Sequence, residues 1–222
     1  MRILSITAQK PNSTGSGVYL TELVKEYALL GHEQAVVAGV YREDEVELPD
    51  GVDFYPVYFC EEGLPYPIVG MSDEMPYIST KYCEMSPEMV EQFRSSFMSV
   101  IERAVEELQP ELILCHHLYL LTALVREHFP ERKVYGFCHN TDLRQMQKTD
   151  LERAFIRAQI GRLDHIFVPQ RAQEEGVLAL YPVSKEKITR VGMGYNDQIF
   201  HLADGSCNKA VSYTHLTLPT KA

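Results

Sequence analysis

Residues 112–138 read LILCHHLYLLTALVREHFPERKVYGFC, and this stretch decides the fold. Leu112 to His116 is a short apolar strand, Leu118 to Phe129 a helix, and Lys133 to Cys138 a second strand. Strands separated by a helix of this length pair in parallel through a right-handed crossover. The same alternation continues in both directions. Upstream, Arg2 to Thr7 is a strand, and Leu20, Leu23, Val24, Tyr27 and Ala28 form a helical stripe closed by Gly31. Gln34 to Val40 is the next strand, and Phe54 to Phe59 another. Ser86-Pro87-Glu88 opens a long helix in the order cap, N1 proline and acidic first turn. Its apolar face runs through Val90, Phe93, Phe97, Ile101, Ala104 and Leu108, and Pro110 ends it. Downstream, a helix is expected over 149–162, a strand at His165 to Val168, a helix over 171–181 and a strand at Ile188 to Val191. The expected fold is a doubly wound, mostly parallel, Rossmann-like α/β domain over residues 1–200. Gly63 to Met85 has three prolines and no periodicity, and is expected as a long mobile surface loop.

Composition narrows the function. The chain has 222 residues, 45% hydrophobic and 23% charged, with 21 basic against 31 acidic residues and a net charge of −10. Such a balance carries no nucleic-acid footprint and disfavours electrostatic docking on anionic lipid. Eight acids and no base fall between Glu43 and Glu62. No apolar run reaches the roughly 18 residues of a membrane span, and the N-terminus turns polar too soon for a signal peptide. The five cysteines are scattered without a C-x-x-C, which reads as reduced thiols in a cytoplasmic protein.

The chemistry-bearing residues stand at strand ends, where open parallel sheets bind ligands. Gly15-Ser16-Gly17 lies between the first strand and the first helix and suits a phosphate or diphosphate, because a helix N-terminus presents free N–H groups. It is a poor dinucleotide fingerprint, since Leu20 stands where the third glycine would fall. Two later strands end in Cys115-His116-His117 and Cys138-His139-Asn140-Thr141-Asp142. Strand alternation would send His116 and His117 to opposite faces, which argues against a zinc site. No G-x-S-x-G elbow or Walker lysine is present.

These segments resemble the N-terminal domain of the family 4 retaining glycosyltransferases, which have the GT-B fold. The resemblance rests on Met1 to Val40 with its glycine loop, on residues 111–117 and 136–142, and on Ile188-Thr-Arg-Val-Gly-Met-Gly-Tyr-Asn-Asp-Gln-Ile-Phe200. The last is similar to the segment where that family crosses to its second domain; Gly194 and Phe200 match, Gly192 and Met193 depart, and Asn196 stands near the acid position. The resemblance implies a nucleotide-sugar donor held mainly by a C-terminal domain, no cofactor, no metal, and a carbohydrate or lipid-linked acceptor. It implies that Gly15, Ser16 and Gly17 face the donor phosphates and that His139 is the catalytic-site histidine. His116, His117, Asn140, Thr141, Asp142 and Arg144 are placed at the acceptor side or cleft by proximity. The implied location is cytoplasmic, with a peripheral seat at the membrane left open.

Two other readings stand beside it: a non-catalytic nucleotide-sugar-binding module, and a metal hydrolase built on His116, His117 and His139. Residues 201–222 are expected as a truncated crossover followed by a non-native tail. Val211 to Thr220 departs from the preceding pattern, and one reverse translation resembles a sequencing adaptor.

Overall fold

A computed structural model describes residues 1–196. In chain order the elements are β1 (Arg2–Thr7), α1 (Gly15–Leu29), β2 (Glu33–Val40), β3 (Val52–Tyr58), β4 (Val69–Gly70), β5 (Thr80–Lys81), α2 (Pro87–Leu108), β6 (Leu112–His116), α3 (Leu120–His128), β7 (Val134–Phe137), α4 (Thr141–Lys148), α5 (Arg153–Ile160), β8 (His165–Val168), α6 (Arg171–Leu180) and β9 (Ile188–Arg190). Seven strands form one sheet in the order β3-β2-β1-β6-β7-β8-β9, every pair parallel. The expected Rossmann-like fold is therefore the observed one.

The central strands β1 and β2 are buried along nearly their whole length because helices cover both faces. On one face α1 sets Leu20 and Val24 against Val36 and Ala38. On the other, Phe93, Phe97, Ile101 and Ala104 of α2 pack into the main core with Leu4, Ile6 and Val37. The start of α2 follows its sequence signals: Ser86 Oγ accepts from the Met89 amide at 3.2 Å, and Pro87 is the first helical residue. The chain leaves α2 through Gln109 in a left-handed conformation, φ 50°.

Three expectations need correction. Gly63 to Met85 is not a surface loop: Leu64, Tyr66, Ile68, Val69, Met71, Tyr82 and Met85 belong to the main core. Its prolines erase any periodicity, yet its apolar side chains fill space beside α2, with only the two-residue strands β4 and β5 as regular structure. Tyr66 Oη donates to the Met89 carbonyl at 2.6 Å, and the Tyr82 ring meets Tyr119 edge-on at 4.7 Å. Second, the helix expected over 149–162 is α5 but begins only at Arg153, after Glu152 at φ 47°, and a further helix, α4, precedes it over Thr141–Lys148 where none was expected. In α4 the buried apolar residues are Leu143 and Met146, too few for a periodic signal. Third, Gly15-Ser16-Gly17 is not a loop but the first turn of α1, capped by Thr14, whose Oγ1 accepts from the Gly17 amide at 3.2 Å. The expected crossover and tail at 201–222 lie outside the described residues.

Candidate active site

The chain runs outward from β1 to β2 and β3, then returns to place β6 on the other side of β1. The carboxyl ends of β1 and β6 therefore flank the point where strand order reverses, the place where open parallel sheets bind ligands. Three of the expected residues converge at this rim. His116 is the last residue of β6. His117 turns off the strand with φ 72°, its amide donating to the Phe137 carbonyl at 2.9 Å, which ties it to the end of β7. His139 follows β7.

The three imidazoles touch. His116 stacks between Phe137 (5.0 Å between centroids) and His139 (5.3 Å), and its Nδ1 lies 3.1 Å from His139 Nε2. One of these nitrogens carries the shared proton and the other accepts it. The His117 ring packs against His139 at 4.8 Å, so the turn at His117 overrides the strand alternation that would have kept them apart. His117 is buried, and among the described residues neither of its ring nitrogens has a hydrogen-bond partner. Burial disfavours the imidazolium in all three. It pushes His116 and His117 well below the usual histidine range, each further depressed by neighbouring histidine, and lowers His139 to about 4. The cluster is neutral at pH 7. Among the described residues no group of three His, Cys, Asp or Glu is arranged to hold a metal ion.

Tyr19 completes the rim. It lies on α1 just past the capped turn, meeting His139 edge-on at 5.5 Å and Phe137 at 5.7 Å. A shallow crevice of about 10 Å³, room for about one water, opens among Tyr19, Phe137, His139, Phe167, Val191 and Met193. Sequence reasoning missed Tyr19, although it shares one helical face with Leu23 and Tyr27 at i, i+4, i+8 spacing.

The remaining expected residues divide. Asn140 is half-buried at φ 70°, and its Oδ1 accepts from Gln173 Nε2 at 3.2 Å. Thr141 is half-buried and Arg144 exposed. Asp142 is completely buried, and its carboxylate accepts from the amides of Leu118 (2.7 Å), Leu143 (3.1 Å) and His139 (3.2 Å), so it faces protein rather than crevice. In the α1 turn the two glycines differ. A Cβ on Gly17 would lie 2.7 Å from the Lys10 carbonyl oxygen, so close packing of the preceding loop requires glycine there. A Cβ on Gly15 would meet nothing within 4 Å.

The glycosyltransferase family 4 model matches residues 13–198. The chain belongs to glycosyltransferase family 4. No curated protein sequence matches it. Among solved structures, sucrose-phosphate synthase from Thermosynechococcus elongatus superposes with a TM-score of 0.66 at 14% identity, covering 90% of this chain and 50% of that one. HepE of Anabaena, solved in complex with UDP and glucose, gives 0.54 at 11% identity over 90% of this chain and 46% of its own. The UDP-GlcNAc 2-epimerase of Methanocaldococcus jannaschii gives 0.53 at 10% identity, over 87% and 46%. The family 4 chain thus spans about half the length of these structures and has the fold of the N-terminal half of GT-B enzymes. Because an epimerase shares that half-fold, the likeness alone does not select the reaction.

Proposed function

We propose that residues 1–200 form the acceptor-side half of a retaining glycosyltransferase that moves a sugar from a nucleotide-sugar donor to a carbohydrate or lipid-linked acceptor. The observation that carries this reading is His139: a neutral imidazole at the end of β7, one strand from the sheet's switch point, in ring contact with the helix whose N-terminus opens the same rim. The amide of Gly17 is capped by Thr14, while those of Gly15 and Ser16 precede the first helical acceptor. With the helix dipole they favour an anion, and nothing crowds the Gly15 position.

In the reaction the anomeric carbon–phosphate oxygen bond breaks as the acceptor oxygen bonds to the same face of the sugar. The departing phosphate takes the acceptor proton. Negative charge grows on the leaving diphosphate, where the α1 N-terminus stabilises it. His139 Nε2 is engaged with His116. Its Nδ1 has no hydrogen-bond partner among the described residues and is the nitrogen left to hold a sugar hydroxyl in the reactive pose. Asn140, Thr141 and Arg144 line the acceptor side, while His117 and Asp142 support it from beneath. The reading includes no cofactor and no metal. Among the described residues no helix is long and apolar enough to cross a membrane.

The test is His139→Ala in the full-length enzyme. The expected outcome is a fall in kcat/KM of at least about tenfold, or 1.4 kcal/mol, with donor affinity and Tm little changed. Full activity, or a loss accounted for by unfolding, removes His139 from the site. The 222-residue chain alone is expected to give no turnover above background hydrolysis, since the donor-binding half is inferred to lie in a second domain.

A further inference from the structure

We infer that Asp142 is a positioning residue: a buried carboxylate that clamps two strand ends together and so sets the His139 imidazole against His116. The inference rests on the reading of His139 given above for its consequence in catalysis, but its geometry stands independently.

Asp142 is completely buried, yet it lies in the first turn of α4, where neither the sheet nor the core needs a charge. Its oxygens collect donors from both histidine-bearing turns. Oδ2 accepts from the amide of Leu118, one residue after His117, at 2.7 Å. Both oxygens face the amide of His139, at 3.2 and 3.3 Å. Oδ1 also takes the Leu143 amide at 3.1 Å and the Cys138 thiol at 3.6 Å. One side chain thus joins the turn after β6 to the turn after β7.

Both turns carry a strained residue, His117 at φ 72° and Asn140 at φ 70°. Outside glycine and asparagine, a positive φ such as that of His117 persists only where surrounding bonds over-determine it. Here the amides next to each strained residue, at Leu118 and His139, are held by the same carboxylate. Charge-assisted bonds to backbone N–H groups are short and about twice as strong as neutral ones. The 3.1 Å bond between His116 and His139 spans these two turns, so its length follows from the clamp. Replacing Asp142 by Asn keeps the shape but turns one acceptor oxygen into a donor NH₂. Whichever way the amide faces, an N–H of one turn meets another donor.

The experiment uses ¹⁵N-histidine-labelled chain and reads the ring-nitrogen and backbone-amide signals by NMR, without substrate. In the wild-type chain one proton is shared between His116 Nδ1 and His139 Nε2, and each ring shows a single tautomer. In Asp142→Asn the His139 ring is expected to average between tautomers, and the Leu118 or His139 amide to exchange about tenfold faster or more, as for a lost hydrogen bond to a charged group. Tyr181→Phe is the control. It removes the 2.5 Å bond from Tyr181 Oη to the Leu118 carbonyl and should leave the ring signals in place. A folded Asp142→Asn chain with wild-type ring signals overturns the clamp. If that variant does not fold, exchange in the wild-type chain decides: protected Leu118 and His139 amides support the clamp, and unprotected rates overturn it. A fully active His139→Ala enzyme would sink the catalytic reading, and the ring signals would still decide the clamp.

Discussion

The segment 63–85, regular only in the two-residue strands β4 and β5, and residues 138–142, which lead from β7 into α4, both set side chains into the interior, yet they are held by opposite means. The longer segment is anchored by apolar bodies. Tyr82 is 1% exposed, packed on Tyr119, and its hydroxyl has no hydrogen-bond partner among the described residues. The shorter turn is anchored by oxygen atoms, those of Asp142, which satisfy three backbone amides. The two are also tied together, since Gln145 Nε2 of α4 donates to the Met71 carbonyl at 3.1 Å. Irregular backbone can be buried either by filling volume or by satisfying its polar groups. The two solutions respond differently to a substitution that keeps shape and changes polarity.

The largest expected effect lies in the longer segment. Tyr82→Ala should lower unfolding free energy by about 3–5 kcal/mol, the usual cost of emptying an aromatic site, measured by denaturant titration. A loss under about 1 kcal/mol would mean that the segment contributes little to the core and that the contrast is false.

Next comes acid. His139 has its pKa lowered from 6.5 to about 4, so between those values the unfolded chain binds the extra proton. Stability is fully present above pH 6.5 and is lost as pH falls toward 4, by about 3 kcal/mol at most for this residue. His116 and His117 shift in the same direction. Asp142 shifts the opposite way, raised by burial against its hydrogen bonds, and offsets part of the loss. Urea midpoints at pH 7 and pH 4.5 should therefore converge in His139→Gln relative to the wild-type chain. An unchanged gap would locate the acid sensitivity elsewhere.

Asp142→Asn should cost about 1–3 kcal/mol through an amide left without an acceptor. A stability equal to wild type would place the strength of this turn in packing after all. The smallest effect, and the sharpest foil, is Tyr82→Phe. It removes a buried hydroxyl that has no partner, so stability should hold within about 1 kcal/mol or rise. A clear loss would mean that the phenol oxygen has a role, erasing the difference between the two regions.

Much of this was legible in the residue order. The strand–helix alternation, the Ser86-Pro87 helix start and the strand ends carrying His116 and His139 all rest on local rules of periodicity and capping, and all appear in the structure. The buried role of 63–85 was not legible, because prolines at 65, 67 and 76 suppress periodicity while burial depends on what α2 leaves open. Nor was Tyr19, since an aromatic on a helical stripe shows its partner only once α1 is laid across the end of the sheet.

What the sequence by itself determined is the parallel doubly wound fold, and with it the rim at which ligands are met. Alternating apolar runs of strand and helix length leave few other ways to bury both faces of a sheet. What only the tertiary structure decided is the arrangement at that rim. His116 and His139 are 23 positions apart, and the 3.1 Å between their nitrogens comes from neighbouring strands joined by a crossover helix. Strand alternation would have turned His117 away from them. It joins the cluster because a left-handed turn, held through the next amide by a carboxylate 24 residues later, overrides that alternation. Periodicity acts along a few residues of chain, whereas such a bond depends on where the folded chain returns.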